Sequence, residues 1–206
     1  IKQIVAMQQS FAKVGGASEN LQAHELMEDA LRICSSGLTR HQVEVSREFQ
    51  IVPTVLVDRH KVLQILVNLI TNAKQALESR ESQRKITLRI HTENSHHVRM
   101  EVVDNGMGIP ADSLTRIFQH GFTTKKTGHG FGLHSGANAA KELGGSLRAY
   151  SDGQGQGARF VLEVPVTPTR PSSVPAPALD PSLFYPADSV LSTELATSTP
   201  SLLPIR

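Results

Sequence analysis

Residues 59–78 read Arg59-His60-Lys61-Val62-Leu63-Gln64-Ile65-Leu66-Val67-Asn68-Leu69-Ile70-Thr71-Asn72-Ala73-Lys74-Gln75-Ala76-Leu77-Glu78, and this stretch decides the fold. Val62, Ile65, Leu66, Leu69, Ile70, Ala73, Ala76 and Leu77 recur at i, i+3 and i+4 without a gap. That predicts a helix over 59–78 with one face committed to a core. Asp58, just before it, is placed to cap its N-terminus. A polar strip runs beside the apolar one. Asn68 and Asn72 are four apart and share a side. At about 100° per residue Gln75 and Lys61 fall with them, while Lys74 points elsewhere. Amides at the margin of a core need partners. A hydrated magnesium ion carrying triphosphate oxygens supplies them, and so does water over an exposed helix.

Working outward, Leu21, Leu26, Ala30 and Ile33 predict a helix over 21–37, with Gly37 at its end. Val43, Val45 and Phe49 alternate with polar residues as in a strand, and Val55–Val57 is a second, shorter one. Downstream, strands are expected over Lys85–Thr92 and His97–Asp104, then a short helix ending near Phe118. Residues 119–131 form a loop rich in Gly, Thr and Lys. A helix over Leu133–Leu143 stops at Gly144-Gly145, and strands follow at 146–151 and 158–164. At the other end, Ile1, Ile4, Val5, Gln8 and Phe11 keep helical spacing up to Gly15-Gly16. A stub this short cannot bury its own stripe, so it reads as the end of a helical hairpin or dimer. The sequence starts without a Met, so its start reads as a cut.

Nine of the eleven prolines lie between 165 and 204, among Ser, Thr and Ala, with no periodicity. Residues 167–206 are therefore expected to be a disordered tail. This gives three parts: a helical fragment over 1–16, a folded domain over 17–166, and the tail.

Composition narrows the function. Twenty-one basic residues nearly balance nineteen acidic ones, and no basic run is dense enough to follow a phosphate backbone, so nucleic acid is not an expected partner. Cys34 is the single cysteine, which excludes an internal disulfide and fits a reducing compartment. It reads as a small buried hydrophobe beside Ala30, Leu31 and Ile33. None of the nine histidines falls in a metal-binding spacing. No apolar run is long enough to span a bilayer.

Two glycine-rich stretches carry further chemistry. In Asp104-Asn105-Gly106-Met107-Gly108-Ile109-Pro110 an Asp closes a strand and two glycines follow. An ionised Asp only accepts hydrogen bonds, so at a pocket floor it can read an exocyclic amine such as that of adenine. Gly106 and Gly108 let backbone approach the base; an ordinary turn between elements explains the same residues. In Gly128-His129-Gly130-Phe131-Gly132, leading through Leu133 into a helix, exposed amides ahead of a helix N-terminus make an anion cradle. No Gly-Lys-Ser/Thr follows, so it is not a P-loop. Between the two lie Phe122, Thr123, Thr124, Lys125 and Lys126, where a lysine on a loop reaches phosphate or simply faces water.

The order of these stretches resembles that of the N, G1, F and G2 boxes of sensor histidine kinases, within the wider superfamily of gyrases, mismatch-repair ATPases and a heat-shock chaperone. The boxes are Asn68–Ala73, then Asp104–Pro110, Ile117–Lys125 and Gly128–His134, followed by Gly144-Gly145-Ser146. The resemblance covers about residues 1–165. It implies an α/β two-layer sandwich, a mixed sheet with helices on one face, and binding of ATP with Mg2+. Under it Asn72 matches the magnesium ligand, and Asn68 stands where gyrase-like relatives carry a glutamate base. Asp104 matches the adenine-reading carboxylate and Gly106, Gly108 and Ile109 the pocket turn. Gly128, Gly130 and Gly132, with His129, Phe131 and Leu133, match the phosphate-closing segment. Lys125, after Phe122, Thr123 and Thr124, matches a lysine of the same loop. Asn68, Asn72 and Lys125 are the residues expected at the chemistry, with Gln75 lining the nucleotide.

The resemblance further implies γ-phosphoryl transfer to a histidine and relay to an aspartate on a response regulator. It implies a homodimer through helices upstream, and work in the cytoplasm with any membrane anchor outside this sequence. Two departures stand out. Gly157 is followed by Ala158 where the family often has Thr, and no acceptor-histidine box is present. Rival readings are a hydrolysing ATPase of the same superfamily, which would want a carboxylate at position 68, a serine kinase of the anti-sigma type, and a nucleotide-binding module without catalysis.

Overall fold

A computed structural model describes residues 16–93, 96–124 and 130–166, all within the unit that ends at Pro168. The helical stub expected over 1–14 and the tail expected over 167–206 lie outside the described residues.

The strands are β1 (Glu19–Leu21), β2 (Glu44–Phe49), β3 (Val55–Val57), β4 (Lys85–Glu93), β5 (His97–Asp104), β6 (Ser146–Tyr150) and β7 (Ala158–Pro165). The helices are α1 (Ala23–Arg40), α2 (Arg59–Ala76), the single turn α3 (Ala111–Leu114) and α4 (Gly132–Glu142). Five strands form one sheet in the order β2-β4-β5-β7-β6, and β1 pairs with β3 apart from it. β2 runs parallel to β4, and the other neighbours are antiparallel, so the sheet is mixed as expected.

Period-two patterning puts Ile86, Leu88 and Ile90, Val98, Met100 and Val102, and Phe160, Leu162 and Val164 on one buried face. α1, α2 and α4 lie against that face. α2 gives the core Val62, Ile65, Leu66, Leu69, Ile70 and Ala73. Each large side chain of that set contributes roughly 1.5–3 kcal/mol on burial, far above the few tenths by which Val and Ile disfavour a helix. Packing therefore decides the element. The opposite face of the sheet is charged: Glu101, 2% exposed, lies 3.5 Å from Arg159 Nη1 and 3.7 Å from His91 Nε2.

Several element boundaries differ from expectation: α2 stops at Ala76 and not at 78, and the short helix expected to end near Phe118 is the single turn Ala111–Leu114. Leu21 ends β1 instead of starting a helix, because its backbone pairs with Val55. α1 runs through Gly37 to Arg40, burying Ala23, Leu26, Met27, Ala30, Leu31 and Leu38, while Ile33 is 44% exposed. Tertiary contacts override the glycine signal there. Cys34 is half-buried, with Sγ 3.9 Å from the Val67 carbonyl, and burial pushes its thiol pKa up.

Asp58 caps α2 as expected. Its carboxylate accepts from the amides of His60 (2.9 Å) and Lys61 (3.4 Å) and also from Gly16 (3.1 Å). Asp58→Ala should cost the upper part of the usual capping range, about 1–2 kcal/mol, because three donors lose their acceptor. Chemical denaturation measures this; an unchanged unfolding free energy contradicts the capping role.

Candidate functional site

α2 is the wall from which the site is built. Met107 donates its amide to the carbonyl of Ala76 at the C-terminal end of α2 (3.0 Å). That bond seats the Asp104–Pro110 turn against the helix. Asn68 lies two turns earlier, about 12 Å along the axis at 1.5 Å per residue. Asn68, Asn72 and Gln75 are all half-buried on this wall.

Asp104 closes β5 with the parity of Val98, Met100 and Val102, so its side chain turns to the helix side of the sheet and is 4% exposed. Burial pushes its carboxyl up to about 6, and hydrogen bonds from the backbone amides of Gly106 (2.8 Å) and Ala158 oppose that push. Asn105 holds the next step of the turn. Its Oδ1 accepts from the Lys85 amide (2.9 Å) and its Nδ2 donates to the Gln83 carbonyl (2.7 Å).

Gly108 has φ +69°, and a Cβ there would sit 2.0 Å from the carbonyl oxygen of Gly153. Both facts demand glycine. Segment 151–157 is thus pressed onto the turn. Ser151 Oγ accepts from the Ile109 amide (2.9 Å) and donates to the Gly157 carbonyl (2.6 Å). Gly157 in turn donates to the Gly106 carbonyl (3.1 Å). Sequence reasoning missed Ser151, which it read only as the end of a strand. A Ser followed by Gly153, Gly155 and Gly157 was the available signal. Ala158 serves through its amide to Asp104, a bond that needs no particular side chain.

At the other end of the wall Gly132 begins α4 against Asn68. A Cβ on Gly132 would lie 2.4 Å from Asn68 Oδ1. Among the described residues Asn68 Nδ2 is buried and has no hydrogen-bond partner, so a donor of the wall is left for an incoming acceptor. Gly130 has φ +71° and packs on the backbone of Gly121 and Phe122. The Phe122 ring lies under the guanidinium of Arg116, 4.7 Å from its centroid. Phe131 is 47% exposed and meets the His120 ring at 4.9 Å. Thr123 and Thr124 are exposed, and Ile109 and Leu133 pack partly buried against the core. Lys125, Gly128 and His129 lie outside the described residues.

Lys61, read as part of the polar strip, pairs with Glu142 of α4 (2.7 Å) at an exposed position. Among the described residues no three His, Cys, Asp or Glu side chains gather as a metal cage. Among them, too, no helix is long and apolar enough to cross a membrane.

The family described as histidine kinase-, DNA gyrase B-, and HSP90-like ATPase matches residues 57–168. The sensor histidine kinase ZraS of Escherichia coli O157:H7 is 38% identical over 119 residues, 58% of this chain and 25% of that protein. The sensor protein FixL of Bradyrhizobium diazoefficiens is 32% identical over 168 residues, 79% of this chain and 32% of that protein. The chain therefore spans about a quarter to a third of the length of these relatives. Among solved structures, the nucleotide-free catalytic domain of histidine kinase ThkA superposes with a TM-score of 0.63 at 25% identity, covering 73% of this chain and 97% of that one.

Proposed function

Since the chain belongs to the histidine kinase-, DNA gyrase B-, and HSP90-like ATPase family, we propose that it is the ATP-binding catalytic domain of a two-component sensor histidine kinase. The adenine lies over Asp104, its exocyclic amine donating to the carboxylate. The triphosphate runs along α2 toward Asn68, Asn72 and the amides at the start of α4. Helix N-termini favour such anions. Asn72 is the residue that would hold Mg2+, with Asn68 beside it; the buried Nδ2 of Asn68, without a partner among the described residues, is a donor that a phosphate oxygen carried by the metal would satisfy. Bound there, the ion would neutralise charge on the phosphates. Lys125 adds a point charge from the loop.

The observation that carries the reading is Asn68. Hydrolysis needs a group that takes a proton from water, and an amide is not a base. An acceptor that brings its own nucleophilic nitrogen needs only positioning. The γ-phosphoryl group then leaves ADP for a histidine of a dimerisation hairpin, and passes to an aspartate of a response regulator. In this reading the domain works in the cytoplasm, and the homodimer forms through the hairpin.

The test is label transfer. With ATP labelled at the γ-phosphate, Mg2+ and a purified acceptor hairpin, acid-labile label appears on the hairpin histidine, while the chain alone releases phosphate slowly. Fast phosphate release without labelled histidine would favour the hydrolase.

A further inference from the structure

His134 lies on the first turn of α4, and the glycine spacing does not account for it. Its Nδ1 is 3.0 Å from the carbonyl oxygen of Phe118, sixteen residues earlier. Its Nε2 is 3.1 Å from Nδ2 of Asn138, one turn further along α4. A carbonyl oxygen only accepts, so Nδ1 carries the hydrogen, and Nε2 accepts from the amide. A charged imidazole would still donate at Nδ1, so the tie to Phe118 is independent of its protonation.

The neighbourhood is built around this tie. His120 stands edge-on to the His134 ring, with centroids 5.2 Å apart at 89°, and its ring also meets Phe131. Gly130 lies so close to the strand of chain at 121–122 that a Cβ would fall 2.4 Å from Gly121 C and 2.7 Å from the Phe122 carbonyl oxygen. Residues 118–122 and 130–134 therefore run side by side. The adenine end of the site is held by other bonds, to Ala76, Ser151 and Ala158.

We propose that His134 is a positioning residue: by tying the first turn of α4 to the Phe118 backbone it fixes where Gly132 meets Asn68, and so sets the phosphate end of the nucleotide site. The inference rests on the ATP-site reading above. Its mark is selectivity, because adenosine engages only the end that His134 does not hold, whereas ATP engages both.

The experiment titrates the unaltered chain and H134A, H134Q and H134N with MgATP by calorimetry and with adenosine by NMR. The Asn amide can donate from nearly the place of Nδ1; that of Gln reaches the place of Nε2 and cannot. Losing one neutral hydrogen bond should weaken ATP about fivefold in H134A and H134Q. H134N should bind ATP like the unaltered chain, and adenosine should bind all four alike. Amide exchange at residues 118–122 should quicken in H134Q and not in H134N. If H134A fails to fold, the Asn–Gln comparison carries the test. Equal ATP affinity in H134N and H134Q, or equal losses for ATP and adenosine, overturns the inference and leaves the site reading standing. No ATP binding by the unaltered chain overturns both.

Discussion

Asp104→Ala weakens ATP binding by about ten- to a hundredfold, the loss of one charge-assisted hydrogen bond of about 1.5–3 kcal/mol to a buried carboxylate. The carboxylate is 4% exposed, so water cannot easily take its place as acceptor. Two backbone amides already hold it, from Gly106 and Ala158, and an amine from the base would make a third donor. The pH dependence follows with its sign. Burial raises this carboxyl from 3.8 to about 6, so the folded chain holds the proton more tightly than the unfolded chain. Its ionisation therefore costs stability as pH rises between those two values, and the cost persists above them. Adenine needs the ionised form. ATP affinity in the unaltered chain should thus fall as pH drops through about 6, and Asp104→Ala should lose that step. Calorimetry across this range measures both. An affinity unchanged by the substitution contradicts the assignment of Asp104.

Gly108→Ala lowers stability by more than about 2 kcal/mol and takes ATP binding with it. Two costs combine. A non-glycine residue at φ +69° costs roughly 1–2 kcal/mol. The added Cβ also meets a backbone oxygen at 2.0 Å, which no rotamer relieves. Gly155→Ala isolates the first cost, since Gly155 has φ +80° with nothing within 4 Å of the Cβ position. Urea denaturation of the two variants should therefore differ, Gly108→Ala being the worse. Equal losses would mean that the 151–157 segment yields, and that it does not brace the turn.

The helix–sheet architecture was legible because its signals are local and periodic. α2 announces itself by eight apolar residues on one face, and β4, β5 and β7 by alternation. The glycine boxes were legible as stretches, since the chain must turn or approach something closely there. What stayed hidden depends on contacts between distant segments. β1 is three residues long and exists only because Leu21 meets Val55. Gly37 reads as a stop, yet α1 continues through it because Leu38 still finds the core. Ser151 and His134 carry no pattern of their own. Their roles come from partners 42 and 16 residues away, at Ile109 and Phe118. The pairing of Asn68 with Gly132 is of the same kind: spacing puts Asn68 beside Asn72, but only packing puts α4 over it.

In the proposed function one ATP bridges the two ends of α2, its base on Asp104 and its phosphates at Asn68 and Asn72. The most direct test is a crystal structure of the chain with Mg2+ and a non-hydrolysable ATP analogue. The exocyclic amine of adenine should lie within hydrogen-bonding distance of the Asp104 carboxylate, and Mg2+ on the Asn72 side-chain oxygen with the phosphates against the start of α4. A nucleotide whose base lies away from Asp104, or whose metal is held without Asn72, would contradict it.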